Sequence, residues 1–357
     1  MRKSGWMLPT IFRRNNLIWN QLISIWIILA MVIGVGIGAI FPSISIILDT
    51  FRVDTISLPI AVGLLLMMYP PLAKVSYEEL SQVKKTWRMF GVSLFLNWVV
   101  GPMLMFFLAW LFLPDLPEYR IGLIMIGLAR CIAMVLVWNL LADGDNNYCA
   151  LLVALNSIFQ ILLYSFYAFF FVNVMSPWIF GSSSFIIDIP MMSIAKNVSI
   201  FLGIPFAGGI ITRFYLVKKR GKQWYEERFI RKLSPLSIIG LLATIVLMFA
   251  MKGGDILALP FDAFRISLPL ASYFLVMFFA SFLISRALGF EYSKTVTLSF
   301  TAASNNFELA IAVTIGVFGI TSGQAFAAII GPLVEVPVLM MLVNLSSWLR
   351  KKMYNMP

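Results

Sequence analysis

The stretch Gly127–Asn139, GLARCIAMVLVWN, places an arginine beside a cysteine in an otherwise apolar run. Its neighbours extend the apolar character over residues 120–141, about the ~20 residues a helix needs to cross a bilayer at ~1.5 Å per residue. The rest of the chain has the same character. Of its 357 residues, 61% are hydrophobic and 12% charged, roughly half the charged content of a soluble domain at about 25%. In hydrocarbon every backbone polar group must pair internally, and the strand alternation of a barrel is absent, so the spans read as helices. The chain is therefore an all-α polytopic membrane protein.

Hydropathy and loop breakers give ten segments: 21–41, 57–74, 88–113, 120–141, 147–175, 192–216, 235–251, 266–288, 294–318 and 323–348. The basic start, MRKSGWMLPTIFRRNN, lacks a short cleavable core and reads as a cytoplasmic arm (residues 1–20), with residues 349–357 as a cytoplasmic tail. With the N-terminus inside, 21 of the 27 Lys and Arg fall in cytoplasmic segments and four on the other side. That asymmetry predicts both termini in the cytoplasm of a protein of the cell membrane. The net charge of +11 then belongs to loops at the membrane surface and does not call for nucleic acid.

Ten spans divide into two five-helix halves, 21–175 and 192–348. An odd number per half forces the second to enter from the opposite side. A weak internal echo fits this: Glu118-Tyr119 opens the fourth span as Glu291-Tyr292 opens the ninth. Inverted repeats of this kind are a common build of secondary transporters, with sites near the midplane where spans four and nine would be discontinuous.

Three ionisable residues sit where lipid makes them costly. Arg130 and Cys131 lie ~15 Å into a ~30 Å core, and Glu308 and Glu335 are also near mid-depth by helical rise. A charge at the bilayer centre costs about 2.5–3.5 kcal/mol on insertion scales. A structural reading has Arg130 paired with Glu308 or Glu335, locking helices together. A functional reading makes the acids proton carriers. Ser304, Asn305 and Asn306 cluster hydrogen-bonding groups around a non-helical break, which at membrane depth must line a cavity or be buried in protein.

Cys131 has two readings as well: a small buried hydrophobe, or a soft ligand whose thiol is tuned by the adjacent arginine. Cys149 lies ~12 Å from it in depth at helical rise, too far for a disulfide. The chain has no histidine, which excludes His-ligated metals and Ser-His-Asp or Cys-His nucleophiles. An intramembrane cysteine enzyme would lack an obvious base. No nucleotide-binding motif is present, and no cofactor or resident metal is expected.

Taken together, GLARCIAMVLVWN, LVALNSIFQ, AASNNFELAIAV and GPLVEVPVL resemble the arsenical-resistance arsenite permeases, ten-helix exporters of the bile acid/sodium symporter superfamily. The resemblance covers most of the chain. It implies export of arsenite, with antimonite as a second substrate, in exchange for protons. It places the family's functional cysteine at Cys131 and its functional glutamate at Glu308. Arg130, Ser304, Asn305 and Asn306 complete the expected substrate site, and Glu335 is the second expected proton-coupling acid. A sodium-coupled organic-anion transporter of the same superfamily is the alternative.

Overall fold

The computed structural model describes residues 10–41, 43–53, 56–78, 87–180 and 191–354. Helices dominate it. The first, α1 (Thr10–Ile40), is followed by the short α2 (Ile44–Thr50) and a two-stranded ribbon, β1 (Arg52–Val53) against β2 (Ile56–Ser57). Then come α3 (Leu58–Lys74), α4 (Trp87–Phe112), α5 (Pro117–Leu128), α6 (Met134–Leu141), α7 (Asn146–Phe180) and α8 (Met191–Arg220). The chain continues as α9 (Lys222–Ala258), α10 (Pro260–Ala287), α11 (Tyr292–Ala303), α12 (Phe307–Phe318) and α13 (Gly323–Tyr354).

Among the described residues, six helices are each long and apolar enough to cross a membrane: α4, α7, α8, α9, α10 and α13. The protein is thus an all-α, multi-pass membrane protein, the ribbon being the one paired set of strands among these residues. Shorter apolar helical stretches lie at Ile25–Ile40, Leu58–Lys74 and Phe307–Phe318.

Local chemistry explains the element boundaries. Proline at the first or second position opens α3, α5 and α10, where its missing N–H costs nothing and its φ is already helical. Asp145 caps α7 by accepting the Tyr148 N–H at 3.0 Å. Gly221, at φ +86°, separates α8 from α9, a backbone conformation that glycine adopts without a Cβ clash.

Several boundaries differ from the sequence expectation, α9 running from Lys222 to Ala258 where 235–251 was expected and α10 starting at Pro260 where 266 was expected. Helix α1 starts at Thr10, not near residue 21, because no glycine or proline interrupts residues 10–33. Helix α13 runs on to Tyr354, so its Lys351 and Lys352 lie in the last helical turn, where cations complement the helix dipole. Residues 1–9 of the arm, 181–190 between α7 and α8, and 355–357 of the tail lie outside the described residues.

Helices α1, α3, α8 and α9 pack through small residues. A Cβ at Gly38 of α1 would fall 2.3 Å from the Ala250 carbonyl oxygen of α9, and one at Gly253 would fall 2.6 Å from the Val35 carbonyl oxygen. Helix α3 approaches α9 at Gly63 and Gly240, where the Ser237 hydroxyl donates to the Met67 carbonyl at 2.8 Å. Small residues let backbones approach when lipid gives no hydrophobic drive to associate.

Around them, α4, α5, α7, α10, α11, α12 and α13 enclose the polar interior. Trp98 donates to Asn156 at 3.1 Å and Tyr164 to the Met125 carbonyl at 3.0 Å. At one end, Arg265 of α10 pairs with Asp115 in the turn after α4, and its guanidinium holds the Asp115 carboxyl below the usual carboxylate range.

The close approach of α1 and α9 is testable. Gly38→Leu should lower the stability of the detergent-solubilised protein by about 1–3 kcal/mol, the cost of overpacking, read as a lower melting temperature. Gly36→Leu, whose Cβ would meet nothing within 4 Å, should leave it unchanged. Equal effects would show that α1 and α9 do not pack through Gly38.

Candidate functional site

The discontinuity expected in span four falls at residues 129–133, between α5 and α6, and the one expected in span nine at residues 304–306, between α11 and α12. Ala129 (φ −89°, ψ 118°) and Ser304 (φ −89°, ψ 140°) are both extended. The two segments meet, and Arg130 pairs with Asn305 in an isolated antiparallel bridge. The Asn306 N–H donates to the Ala129 carbonyl at 3.1 Å. The Asn305 carboxamide nitrogen donates to the Ile126 carbonyl at 2.8 Å and to the Ala129 carbonyl at 3.0 Å. The C-terminal end of α5, where carbonyls run out of intrahelical partners, is thus capped by a side chain from the other half of the sequence.

Each segment is also held from a neighbouring helix. The Arg130 N–H donates to the Gln160 carboxamide oxygen on α7. The Asn305 N–H donates to a Glu335 carboxylate oxygen on α13 at 3.2 Å, and the Ser304 hydroxyl donates to that same oxygen at 2.7 Å. Asn306 caps α12 by accepting the Leu309 N–H at 3.1 Å. Helices α6 and α12 therefore both begin at this junction, and each brings the partial positive charge of its N-terminus.

Arg130 departs from the ion pair weighed in the sequence reading. Its guanidinium donates to the Gly127 carbonyl and to the Tyr273 hydroxyl, the latter at 2.8 Å, and lies 6.0 Å from the Tyr273 ring centroid. Among the described residues it forms no salt bridge with Glu308 or Glu335. The nitrogen Nε is buried with no partner among these residues.

The guanidinium also does not tune the neighbouring thiol by contact. Successive side chains of an extended segment point to opposite sides. The Cys131 sulfur accepts the Val135 N–H of α6 at 3.2 Å and lies within hydrogen-bonding reach of the Ser304 hydroxyl.

Of the seven residues singled out from sequence, all but Glu308 are buried, and Glu308 is half-buried in the first turn of α12. Ser304 is bonded to Glu335, and Arg130 bridges Asn305. The Asn305 carboxamide oxygen and the Asn306 carboxamide nitrogen are buried without a partner among the described residues. Cys149 stays apart: its sulfur lies 4.0 Å from the Val135 carbonyl, and both cysteines are free.

Two contributors escaped the sequence reading. Tyr273, on α10, had no local signal. Gln160 closes the LVALNSIFQ motif, and a polar carboxamide within an apolar run was the signal available.

The family model for the sodium bile acid symporter family matches residues 61–259. The chain is 49% identical over 335 residues to the arsenical-resistance protein Acr3 of Corynebacterium glutamicum, covering 94% of this chain and 90% of that protein. It is 31% identical over 339 residues to the arsenical-resistance protein Acr3 of Alkaliphilus metalliredigens, covering 92% of each. An uncharacterized transporter of Synechocystis is 33% identical over 347 residues, covering 92% of this chain and 88% of that protein. Two interrupted helices that bridge at a buried cysteine, an Asn pair and two carboxyls, and these likenesses over nearly the whole length, agree: the chain belongs to the sodium bile acid symporter family, among its Acr3 arsenical-resistance transporters.

Proposed function

We propose that the protein exports trivalent arsenite from the cytoplasm across the cell membrane in exchange for protons, with antimonite as a second substrate. The observation that carries this reading is the junction itself. It brings a thiol, hydrogen-bonding groups without partners and two carboxyls to one place in a chain 49% identical to an arsenical-resistance protein. Arsenite at neutral pH is an uncharged trihydroxide. It needs hydrogen-bond partners and a soft contact, not a counter-charge. The Cys131 sulfur supplies the soft contact. Ser304, Asn305 and Asn306 supply donors and acceptors, and Arg130 anchors the segment that carries the thiol. A single sulfur contact lets the solute leave again, as transport requires.

The proposed topology is ten membrane crossings in two inverted repeats, residues 21–175 and 192–348, between a cytoplasmic arm (1–20) and tail (349–357). The crossings are α1, α3, α4, α5–α6, α7, α8, α9, α10, α11–α12 and α13. Paired contacts support the inversion: α1 packs on α9 as α8 packs on α3, and α4 packs on α5 as α10 packs on α11. The loop charges support placing both termini in the cytoplasm.

Proton exchange is assigned to Glu308, with Glu335 as the second acid. Neither has a cationic partner among the described residues, so proton uptake is the local way to neutralise it. One proton entering down a potential of 100 mV supplies about 2.3 kcal/mol. At about 1.4 kcal/mol per decade that sustains roughly a 50-fold outward gradient of a neutral solute.

Everted membrane vesicles test the reading. They should accumulate arsenite when energised, and a protonophore should abolish accumulation. The description of the matched family names sodium and bile acid, so sodium-coupled organic-anion transport is the second reading. Sodium-dependent uptake of a bile acid, lost when sodium is replaced by choline, with no accumulation of arsenite, would favour it.

Two substitutions follow. Cys131→Ser keeps the volume and polarity but not the soft sulfur, and should cut arsenite export ~10-fold or more, equivalent to about 1.4 kcal/mol, with normal membrane levels of protein. Cys149→Ser should transport like the wild type. Similar behaviour of the two variants would remove Cys131 as the substrate thiol.

Glu308→Gln keeps the size and most hydrogen bonds but cannot exchange a proton. It should lose protonophore-sensitive accumulation, and its arsenite binding should become independent of pH. A Glu308→Gln protein that still builds the gradient excludes this residue as the coupling acid.

A further inference from the structure

We propose that Gln160 is a positioning residue: its carboxamide holds the Arg130–Cys131 segment in place, as the neutral counterpart of the Glu335 carboxylate that holds Ser304 and Asn305. Two hydrogen bonds place it there. The Arg130 N–H donates to Gln160, 30 residues further on, and the Asn305 N–H donates to Glu335, also 30 residues further on. The two donors are themselves paired in the bridge at the junction. Each interrupted helix is thus tied to the following long helix by a side-chain oxygen at the same spacing from the break.

The tie is needed for a plain reason. Arg130 lies outside any helix, so its N–H has no intrahelical acceptor, and in hydrocarbon an unpaired N–H is costly. Gln160 is fully buried, and its helix is fixed beside α5 one turn later by the Tyr164 hydroxyl on the Met125 carbonyl at 3.0 Å. The acceptor therefore comes from a fixed surface. Cys131 follows Arg130 directly, so the register of the Arg130 backbone sets where the sulfur stands relative to Ser304. Gln160 need not touch arsenite: it acts through the backbone of the residue beside the thiol.

Hydrogen exchange and transport together test this, and the transport part rests on the export reading above. Gln160→Met keeps the shape without the acceptor, whereas Gln160→Glu keeps the acceptor. In Gln160→Met, backbone exchange of peptides covering residues 129–133 should rise ~10-fold or more. Its arsenite KM in everted vesicles should rise ~10-fold while Vmax stays within about threefold, as expected of a misplaced contact. Gln160→Glu should restore both.

Wild-type exchange and KM in Gln160→Met overturn the proposal, as does a Gln160→Glu protein as impaired as Gln160→Met. If Gln160→Met does not reach the membrane, the wild-type protein decides. Its Arg130 amide should exchange as slowly as amides inside α7, and exchange at the rate of an exposed loop overturns the assignment. A wild-type protein that exports no arsenite overturns the export reading alone, and the exchange measurements still decide the role of Gln160.

Discussion

An extended backbone in the middle of a membrane is tolerable only if its polar groups find partners, and in this protein two such segments find them in each other. Breaking α5 at Leu128 frees the carbonyls of its last turn. The Asn305 carboxamide donates to the Ile126 carbonyl, which also accepts the Ala129 N–H, and to the Ala129 carbonyl, to which the Asn306 N–H adds a second bond. Neither interruption could persist alone, since several kcal/mol are at stake for each unsatisfied group in hydrocarbon. The junction is therefore a joint property of the two halves of the chain. It also explains the company around it: Gln160 and Glu335 accept the backbone N–H groups of the two bridged residues, Arg130 and Asn305.

The rest of the architecture serves that junction in two different ways. Helices α1, α3, α8 and α9 associate through glycines that bring backbones into contact, with Asn197, Arg213, Thr244 and Lys252 as buried polar residues on α8 and α9. The helices around the junction bury Asn97, Asn139, Asn156, Gln160, Thr297 and Thr301. Buried polar networks specify one arrangement more sharply than apolar contact, provided their members are satisfied. The Asn139–Thr297 contact at 2.6 Å shows how the pattern extends away from the break, tying α6 to α11.

Both interruptions were legible in the sequence because charge and carboxamide clusters are out of place at mid-depth, whatever the neighbours are. The apolar helices were legible from length and composition alone. The partners were not. An arginine beside two membrane acids suggests an ion pair, yet its guanidinium reaches Tyr273 and the Gly127 carbonyl. Nothing local to Arg130 could announce Tyr273, which lies 143 residues away. The suggested thiol–guanidinium contact failed for a simpler reason. It assumed that sequence neighbours share surroundings, and an extended segment sends them to opposite sides. The start of α1 at Thr10 was missed because a basic, polar arm looks like a loop, although nothing in residues 10–33 stops a helix.

The correction to Arg130 changes the charge logic of the site. With Arg130 bonded to a hydroxyl and a carbonyl, its charge is fixed and does not cancel either acid through contact. Among the described residues neither Glu308 nor Glu335 forms a salt bridge, and Glu335 accepts the Ser304 hydroxyl and the Asn305 N–H. Carboxyls taken out of water are costly as charges unless they are paired. An uncharged trihydroxide entering the same space alters neither charge. On the proposed reading, the driving force and the cargo are therefore kept on separate groups. The proton resides on carboxyls that the solute need not ligate, and the solute rests on a sulfur and amides that carry no exchangeable charge in the cycle. On that same reading the two are coupled through the junction: the Ser304 hydroxyl donates to Glu335 beside the Arg130–Asn305 bridge, so a change at the carboxyl reaches the segment that carries the thiol.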